Sequence, residues 1–533
     1  MMGNTLMMPK MVWLWTDLVL YAVALAVLVY VWHVWRSPLL RASWRRIFRD
    51  AAALCSLIIL VFFALIAALD SVHFRRALPA SAGSTAAGQV FYATSTESVL
   101  DLVLAHQLAA RERSYSRPLA WRGFTKESLE RDGQPVRDFP RLQYGGAHLS
   151  DPAVQWLGDI FQRTGLGLLG GALVGALTWW AVALIWIRRS LSCFNTNGKG
   201  VTENASETVT AAIASDLKND ADRKKTVSEG LRVLWNNNTE LPLRAALLTF
   251  TLLAMLLGVA VVLGRGYHVL GTDRTGNDVL YQALKSVRTA FVIGTLSTIA
   301  TLPLAVTLGI LAGYFRGWVD ELIQYVYTTL SSVPGVLLIA ACVLMVQVFL
   351  DKHPELFETG LERADLKIFL LCLILGVTGW AGLCRLLRGE TMKLRELDYV
   401  QAATAFGVGH LRIMVRHIFP NLVHLVLITT VLEFSGLVLF EAVLSFVGVG
   451  VDPIMNSFGG MINLARSEMS RDPLVWWSFA AAFVFMVALV LAANLFADGV
   501  RDAFDPRARV FRKRLMPRRP VKPSVTIAAG DAR

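Results

Sequence analysis

Nine stretches of predominantly apolar residues run along the chain: near Trp13 to Val34, Ala51 to Leu69, Leu166 to Ile187, Ala245 to Leu263, Ala290 to Tyr314, Leu322 to Leu350, Ile368 to Leu387, Leu422 to Gly448 and Trp476 to Phe496. A helix crosses the hydrocarbon core of a bilayer in about 20 such residues, so each stretch predicts a spanning helix. The longest must tilt or break. Pro334 lies inside one of them and lacks an amide donor, which predicts a break there.

Between these stretches lysine and arginine are unevenly distributed, and cationic loops resist translocation across an energised membrane. Arg36, Arg41, Arg45, Arg46 and Arg49 put the interval after the first span in the cytoplasm. Propagated along the chain, that choice also places Arg188 and Arg189, the segment Arg385 to Arg416 and the tail Arg507 to Arg519 inside. The expected topology has the N-terminus outside and the C-terminus cytoplasmic. The first span lacks a basic leader and a small-residue cleavage site, so it is expected to be retained.

The fold class that follows is an all-α polytopic membrane protein, with three helices ahead of a six-helix block. Residues 1–69 hold two spans, 70–165 form a small extracytoplasmic insertion, 166–187 form the third span and 188–243 a cytoplasmic linker. Residues 244–507 hold the six-helix core, with a polar loop at 395–421, and 508–533 form a basic cytoplasmic tail. Within the insertion, SVLDLVLAHQLAARERS from Ser98 reads as a helix. The linker is rich in Asn, Thr, Ser, Asp and Lys and is expected to be mobile, with a helix near Thr208 to Arg223. The tail beyond Pro517 is expected to be disordered.

Composition agrees: 55% hydrophobic residues, 17% charged residues and a mean hydropathy of +0.50 exclude a soluble globular protein. The net charge of +12 would suggest nucleic acid in a soluble domain, but here the cations flank apolar stretches, so they report topology and no nucleic-acid partner. Cys55, Cys193, Cys342, Cys372 and Cys384 show no metal-ligand spacing and predict no disulfide framework.

The polar loop contains DYVQAATAFGVGHLRIMVRHIFPN, from Asp398 to Asn421. Leu397, Val400, Ala403 and Thr404, then Leu411, Met414, Val415 and Ile418, recur at helical spacing on either side of Gly407 and Gly409. Two short helices joined at a glycine corner are expected. Such an element can lie in a partner's groove, with Ala402 and Ala403 permitting close approach, or rest its apolar face on lipid. Periodicity alone does not choose.

QAATAFG, followed by IFP ending at Pro420, resembles the EAA loop of permease subunits in binding-protein-dependent ATP-binding-cassette importers, most closely the dipeptide, oligopeptide and nickel branch. Ala402, Ala403, Gly407 and Pro420 match that pattern; Gln401 stands where the family usually has Glu. GTDRTGNDVLYQALKSVRTA from Gly271 is similar to the family's outer segment, with Asn277 in place of a common Arg. LAGYFRGWVDELIQYVYTTLSSVPGVLLI from Leu311, LSFVGVGVDP from Leu444 and ANLFADGVRDAFDPR from Ala493 continue the likeness in family order.

The resemblance implies a non-catalytic permease subunit of the bacterial inner membrane, importing di- or oligopeptides, with nickel or another small solute as the alternative. It implies a second homologous permease, two ATPase subunits that bind ATP and Mg, and an extracytoplasmic substrate-binding protein. Gln401, Ala402, Ala403, Gly407 and Pro420 would form the coupling loop. A secondary transporter or a membrane sensor is the competing class; the former would show an inverted repeat or a polar pathway.

Remaining candidates are single residues. An ionisable group at a helix centre costs about 2.5 to 3.5 kcal/mol on insertion scales. Asp17 is expected to reach the interface, whereas Glu433 and Glu441 could line a pathway, Glu441 alternatively pairing within the bundle. Asp273 and Asp278 are expected to cap a tight turn around Gly271 and Gly276. His410 and His417 lack the further ligands a metal site needs. NGKG at Asn197 lacks the spacing of a phosphate-binding loop, so ATP hydrolysis is expected of another chain.

Overall fold

The computed structural model describes residues 10–77, 92–131, 134–196 and 242–504. Among these, nine helical stretches are long and apolar enough to cross a membrane, and the protein is a polytopic all-α membrane protein. The expected linker helix near 208–223 and the tail beyond 517 lie outside the described residues.

From the N-terminus, β1 (Lys10–Val12) leads into α1 (Trp15–Arg36), the short α2 (Pro38–Ile47) and α3 (Ala51–Asp70). The insertion follows: β2 (His73–Arg75), β3 (Glu97–Ser98), α4 (Val99–Val103), α5 (Ala105–Ala109), and a hairpin of β4 (Glu127–Arg131) and β5 (Gln134–Asp138). Next come α6 (Pro152–Thr196) and α7 (Leu243–Leu263). The remaining bundle is α8 (Val279–Phe315), α9 (Gly317–Ser332), α10 (Gly335–Lys352), α11 (Gly360–Gly379), α12 (Ala381–Arg395), α13 (Asp398–Ala405), α14 (His410–Ile413), α15 (Phe419–Phe446), α16 (Phe458–Glu468) and α17 (Trp477–Phe504).

The break expected at Pro334 separates α9 from α10, with Pro334 itself capping α10. Several spans run beyond their apolar cores: α6 starts at Pro152 and continues to Thr196, into the expected linker, α8 begins at Val279, α11 at Gly360, and α17 extends to Phe504. The insertion is not simply helical. Ser98 and Asp101 form a reciprocal capping box that starts α4, but the expected single helix is split at Leu104 and stops at Ala109, which lets Glu112 turn inward. β1, β2 and β3 form an antiparallel sheet in which Lys10 pairs with Arg75 and His73 with Ser98.

One hydrophobic core joins α3, the insertion and the later bundle: Phe63 and Ile66 meet Leu100, Tyr115 and Phe124, and these meet Val287, Trp477 and Leu489. Phe124 stands edge-on to Trp477 at 5.0 Å between ring centroids, and the Trp477 indole donates to the Thr272 carbonyl at 2.9 Å. The turn before α8 is built as its two aspartates suggest. Asp273 Oδ1 accepts from the Thr275 and Asn277 amides at 2.8 and 2.9 Å, and Asp278 caps α8 through the Tyr281 amide at 3.1 Å.

α6 and α7 pack backbone to backbone. A Cβ on Gly171 would lie 2.4 Å from Met255 Cα, and one on Gly167 2.6 Å from Val259 Cα, so only glycine allows this approach. Small residues four apart are a common device for helix contact in lipid, where apolar burial drives little association.

Asp17 does not reach the interface. It is 1% exposed, because Arg288 of α8 offers it a charge partner inside the bundle. The Arg288 guanidinium donates to Asp17 Oδ1 at 2.5 and 3.1 Å and to Thr16 Oγ1 at 2.9 Å. His73 Nδ1 lies 2.8 Å from Asp17 Oδ2, and Asp365 of α11 accepts from the Thr16 amide at 3.1 Å and from its hydroxyl. Pairing and hydrogen bonding offset the cost of burying these charges.

Candidate functional site

The 395–421 loop lies at the end of the bundle where α8 and α12 finish and α15 begins. α13 ends in a Schellman motif: the Gly407 amide donates to Thr404 O at 3.0 Å and the Val408 amide to Ala403 O at 3.1 Å. Gly407 has φ +74°, the left-handed conformation this cap requires, and nothing lies within 4 Å of a Cβ there, so backbone rather than space selects glycine. α14 then runs into a π-helical turn, Met414–Ile418, that leads into α15 with Pro420 in its first turn. Proline clashes with the carbonyl four residues before it in an α-helix; the wider turn accommodates Pro420.

Half of the apolar pattern anchors this loop. Val400, Ile413 and Ile418 are at most 1% exposed and pack with Tyr314, Cys384 and Leu387. Polar contacts brace it further: the Tyr314 hydroxyl meets His410 Nδ1 at 2.9 Å, Arg395 donates to Tyr314 O at 2.7 Å, and Arg316 pairs with Glu396 at 2.6 Å. Behind them Arg388 of α12 holds Asp320 of α9 through two bonds of 2.5 and 2.7 Å, which lowers the Asp320 pKa. Residue periodicity pointed to none of these partners, since each pair joins distant parts of the chain.

The other half faces outward. Phe406 is 88% exposed and Leu411 72%, with Val415, Gln401, Ala402, Gly407 and Pro420 also exposed and Ala403 partly covered. Gln401 Nε2 donates to the Glu396 carbonyl at 3.1 Å, so its amide ties α13 back to the end of α12. Beside this face an open cavity of about 590 Å³ is lined by Tyr314, Arg395, Glu396, Gln401, Thr404 and His410. The geometry is a convex apolar knob on a buried, hydrogen-bonded base, a shape that can fit a complementary surface.

Glu441 belongs elsewhere. It is 4% exposed inside the bundle, accepts from Ser445 Oγ at 2.6 Å and packs against Gly459 of α16, in line with pairing within the bundle. Glu433 is half-buried, with Oε2 lacking a hydrogen-bond partner. His410 and His417 engage Tyr314 and Tyr399 respectively, and among the described residues no group of three or more His, Cys, Asp or Glu is arranged to hold a metal ion. Cys55, Cys342, Cys372 and Cys384 are free thiols.

Residues 305–510, which include the loop and its base, match the family described as binding-protein-dependent transport system inner membrane component. The oligopeptide transport system permease protein OppC of Mycobacterium tuberculosis is 33% identical over 246 residues, covering 46% of this chain and 78% of that protein. OppC of Haemophilus influenzae is 32% identical over 244 residues, covering 46% and 72%. The glutathione transport system permease protein GsiD of Pectobacterium atrosepticum is 33% identical over 242 residues, covering 45% and 73%.

Proposed function

The chain belongs to the binding-protein-dependent transport inner-membrane component family, and from that premise we propose that it is the peptide-importing kind of permease subunit, coupled to its ATPase through the 395–421 loop. The family is one of permease subunits of ATP-driven importers, multi-pass in the inner membrane. On this reading the chain forms half of a translocation pathway with a second homologous permease. Two ATPase subunits bind ATP and Mg, and a binding protein delivers the solute at the opposite end. The loop is cytoplasmic, the N-terminus outside and the C-terminus inside.

The observation that carries the coupling role is the exposed Phe406 beside Gly407, set on a base fixed by Val400, Ile413 and Ile418. A rigid knob transmits displacement to attached helices, and here α12 and α15 leave the loop directly. Closure of the ATPases would thereby shift the bundle between two states that bind ATP with different affinity. The peptide assignment is supported by the OppC relatives, which are named for oligopeptide transport.

The test is co-purification of the ATPase with the full chain. Phe406→Asp removes an exposed side chain without touching the core, so folding is expected to survive while ATPase recovery falls about tenfold or more. Undiminished recovery with Phe406→Asp would refute docking at this knob.

A further inference from the structure

α1 turns most of its surface outward, with apolar side chains such as Leu25 and Leu28 exposed along its length, so acyl chains of the bilayer solvate it. Its last two turns expose Tyr30, Trp32 and Trp35, the last by 70%. Tryptophan and tyrosine collect at headgroup level, where the ring stays dry and its polar edge is wet. α2 starts two residues after α1 ends, and the headgroups of the lipids along α1 therefore lie at its height.

α2 has two unlike faces. On one, Ile47 is 1% exposed and packs with Ala53 of α3 and with Val500 and Ala503 of α17. Trp44 on the same side stands edge-on to Phe504 and donates to the Tyr30 hydroxyl at 3.2 Å. That face holds the helix to the bundle. Arg41, Arg45 and Arg46 are exposed on the other side, with Arg49 just beyond the helix end. Arg41 and Arg45 are one turn apart, about 5–6 Å between Cβ atoms, a spacing that one phosphate can bridge.

Two of the cations are held in place by α1. Arg41 donates to the Trp35 carbonyl, and the Arg36 guanidinium lies 3.8 Å from the centre of the Trp32 ring. A guanidinium has five N–H donors, so one backbone bond leaves most of them for a ligand. At this end of α1, α3 and α17 the acids among the described residues are Asp50, which caps α3 through the Ala53 amide at 3.4 Å, and Asp498 and Asp502 of α17. Against these three stand six arginines, because Arg501 of α17 adds to the five between Arg36 and Arg49. The surface keeps a positive excess.

We propose that the arginine face of α2 binds the phosphates of anionic phospholipids in preference to zwitterionic ones. The lipids that solvate α1 bring their headgroups to this face, which makes lipid its occupant. Charge then selects among headgroups: arginine grips a phosphate through parallel N–H bonds, whereas a zwitterionic lipid returns a cation to the same surface. A bound headgroup fixes α2 at one depth in the bilayer, and through Ile47 and Trp44 the end of α17 with it. The import reading is not a premise, since no solute, ATPase or binding protein takes part.

The test uses the full chain in detergent, delipidated and then given dioleoyl phosphatidylglycerol and dioleoyl phosphatidylcholine in equal amounts, with bound lipid counted per chain by native mass spectrometry. The unaltered chain is expected to retain phosphatidylglycerol about tenfold over phosphatidylcholine, and Arg41→Gln with Arg46→Gln to lose at least about fivefold of that preference. Arg113→Gln with Arg137→Gln removes the same charge from the insertion, at the other end of α3, and is expected to leave the preference unchanged. Excess inorganic phosphate is expected not to displace the lipid, which its acyl chains also hold. Equal retention of the two lipids by the unaltered chain, an unchanged preference in the α2 variant, or an equal loss in the insertion variant would overturn the proposal. Displacement by inorganic phosphate would overturn it in favour of a free-anion site. Both α2 arginines are exposed, so folding is expected to survive their substitution, and the two-lipid comparison on the unaltered chain stands without it.

Discussion

Arg288 and Gln401 show how differently a single residue acts at the centre and at the rim of this bundle. Arg288 is 2% exposed and faces Asp17, with Asp365 3.7 Å away. Arg288→Met would take the guanidinium away from two buried carboxylates, leaving His73 as the basic group beside Asp17, a loss of about 3–5 kcal/mol. A marked fall in the unfolding temperature of the purified chain is expected, and an unchanged one would refute the role of this cluster. Gln401 is exposed and makes one side-chain bond, to Glu396 O. Gln401→Glu replaces a donor by a charge that cannot donate, but water reaches both groups. The expected change in stability is within about 0.5 kcal/mol, read by the same thermal unfolding.

Among the elements, the α6–α7 pair depends on glycine at one face. Gly171 touches the Met255 backbone, whereas nothing lies within 4 Å of a Cβ on neighbouring Gly170. Gly171→Leu is therefore expected to force the helices apart and lower the unfolding temperature, while Gly170→Leu on the other face leaves it near wild type. Equal effects at the two positions would show that the helices are not joined by this face. Glycine spacing in LLGGALVGAL is a legible signal of helix contact, yet which glycine faces the partner depends on the rotation of α6.

For the molecule as a whole, the insertion is held to the bundle by a charge cluster that titrates. His268 Nδ1 lies 2.9 Å from Asp278 Oδ2, and Nε2 lies 3.5 Å from Glu112 Oε1, an ion-pair rather than a hydrogen-bond distance. Burial opposes the charged imidazole, but the Asp278 and Glu112 carboxylates outweigh it and raise its pKa from 6.5 to about 9. Burial likewise opposes the Glu112 carboxylate; His268 and the amides of Gln143, Gly145 and Tyr144 prevail and lower its pKa from 4.5 to about 2. A raised histidine pKa contributes stability that is complete below 6.5 and lost as pH rises through about 9. A depressed glutamate pKa contributes stability present above 4.5 and lost as pH falls through about 2. Docking of the insertion is thus expected to be firmest near pH 4.5–6.5 and to loosen towards both limits. Proteolytic protection of the insertion across pH measures this, and an alkaline loss that persists unchanged in His268→Gln would exclude His268 as its origin.

Length of apolar run, proline, glycine and charge placement are properties of consecutive residues, and they alone determined the nine spans, the break at Pro334 and the glycine corner at Gly407. Ala402, Ala403, Gly407 and Pro420 became a candidate site only through the resemblance of QAATAFG and IFP to the EAA loop, since periodicity alone left that stretch open. Tertiary structure decided the rest. Leu411 and Ile418 share one apolar pattern, yet Leu411 is exposed and Ile418 sealed, since only packing against Tyr314 and Leu387 tells the two sides apart. Asp17 is no interfacial residue because Arg288, far along the chain, arrives beside it. The same holds for Tyr115, whose hydroxyl donates to Glu468: a charge or a donor has meaning only with its partner, and partners distant in sequence are assigned by the fold.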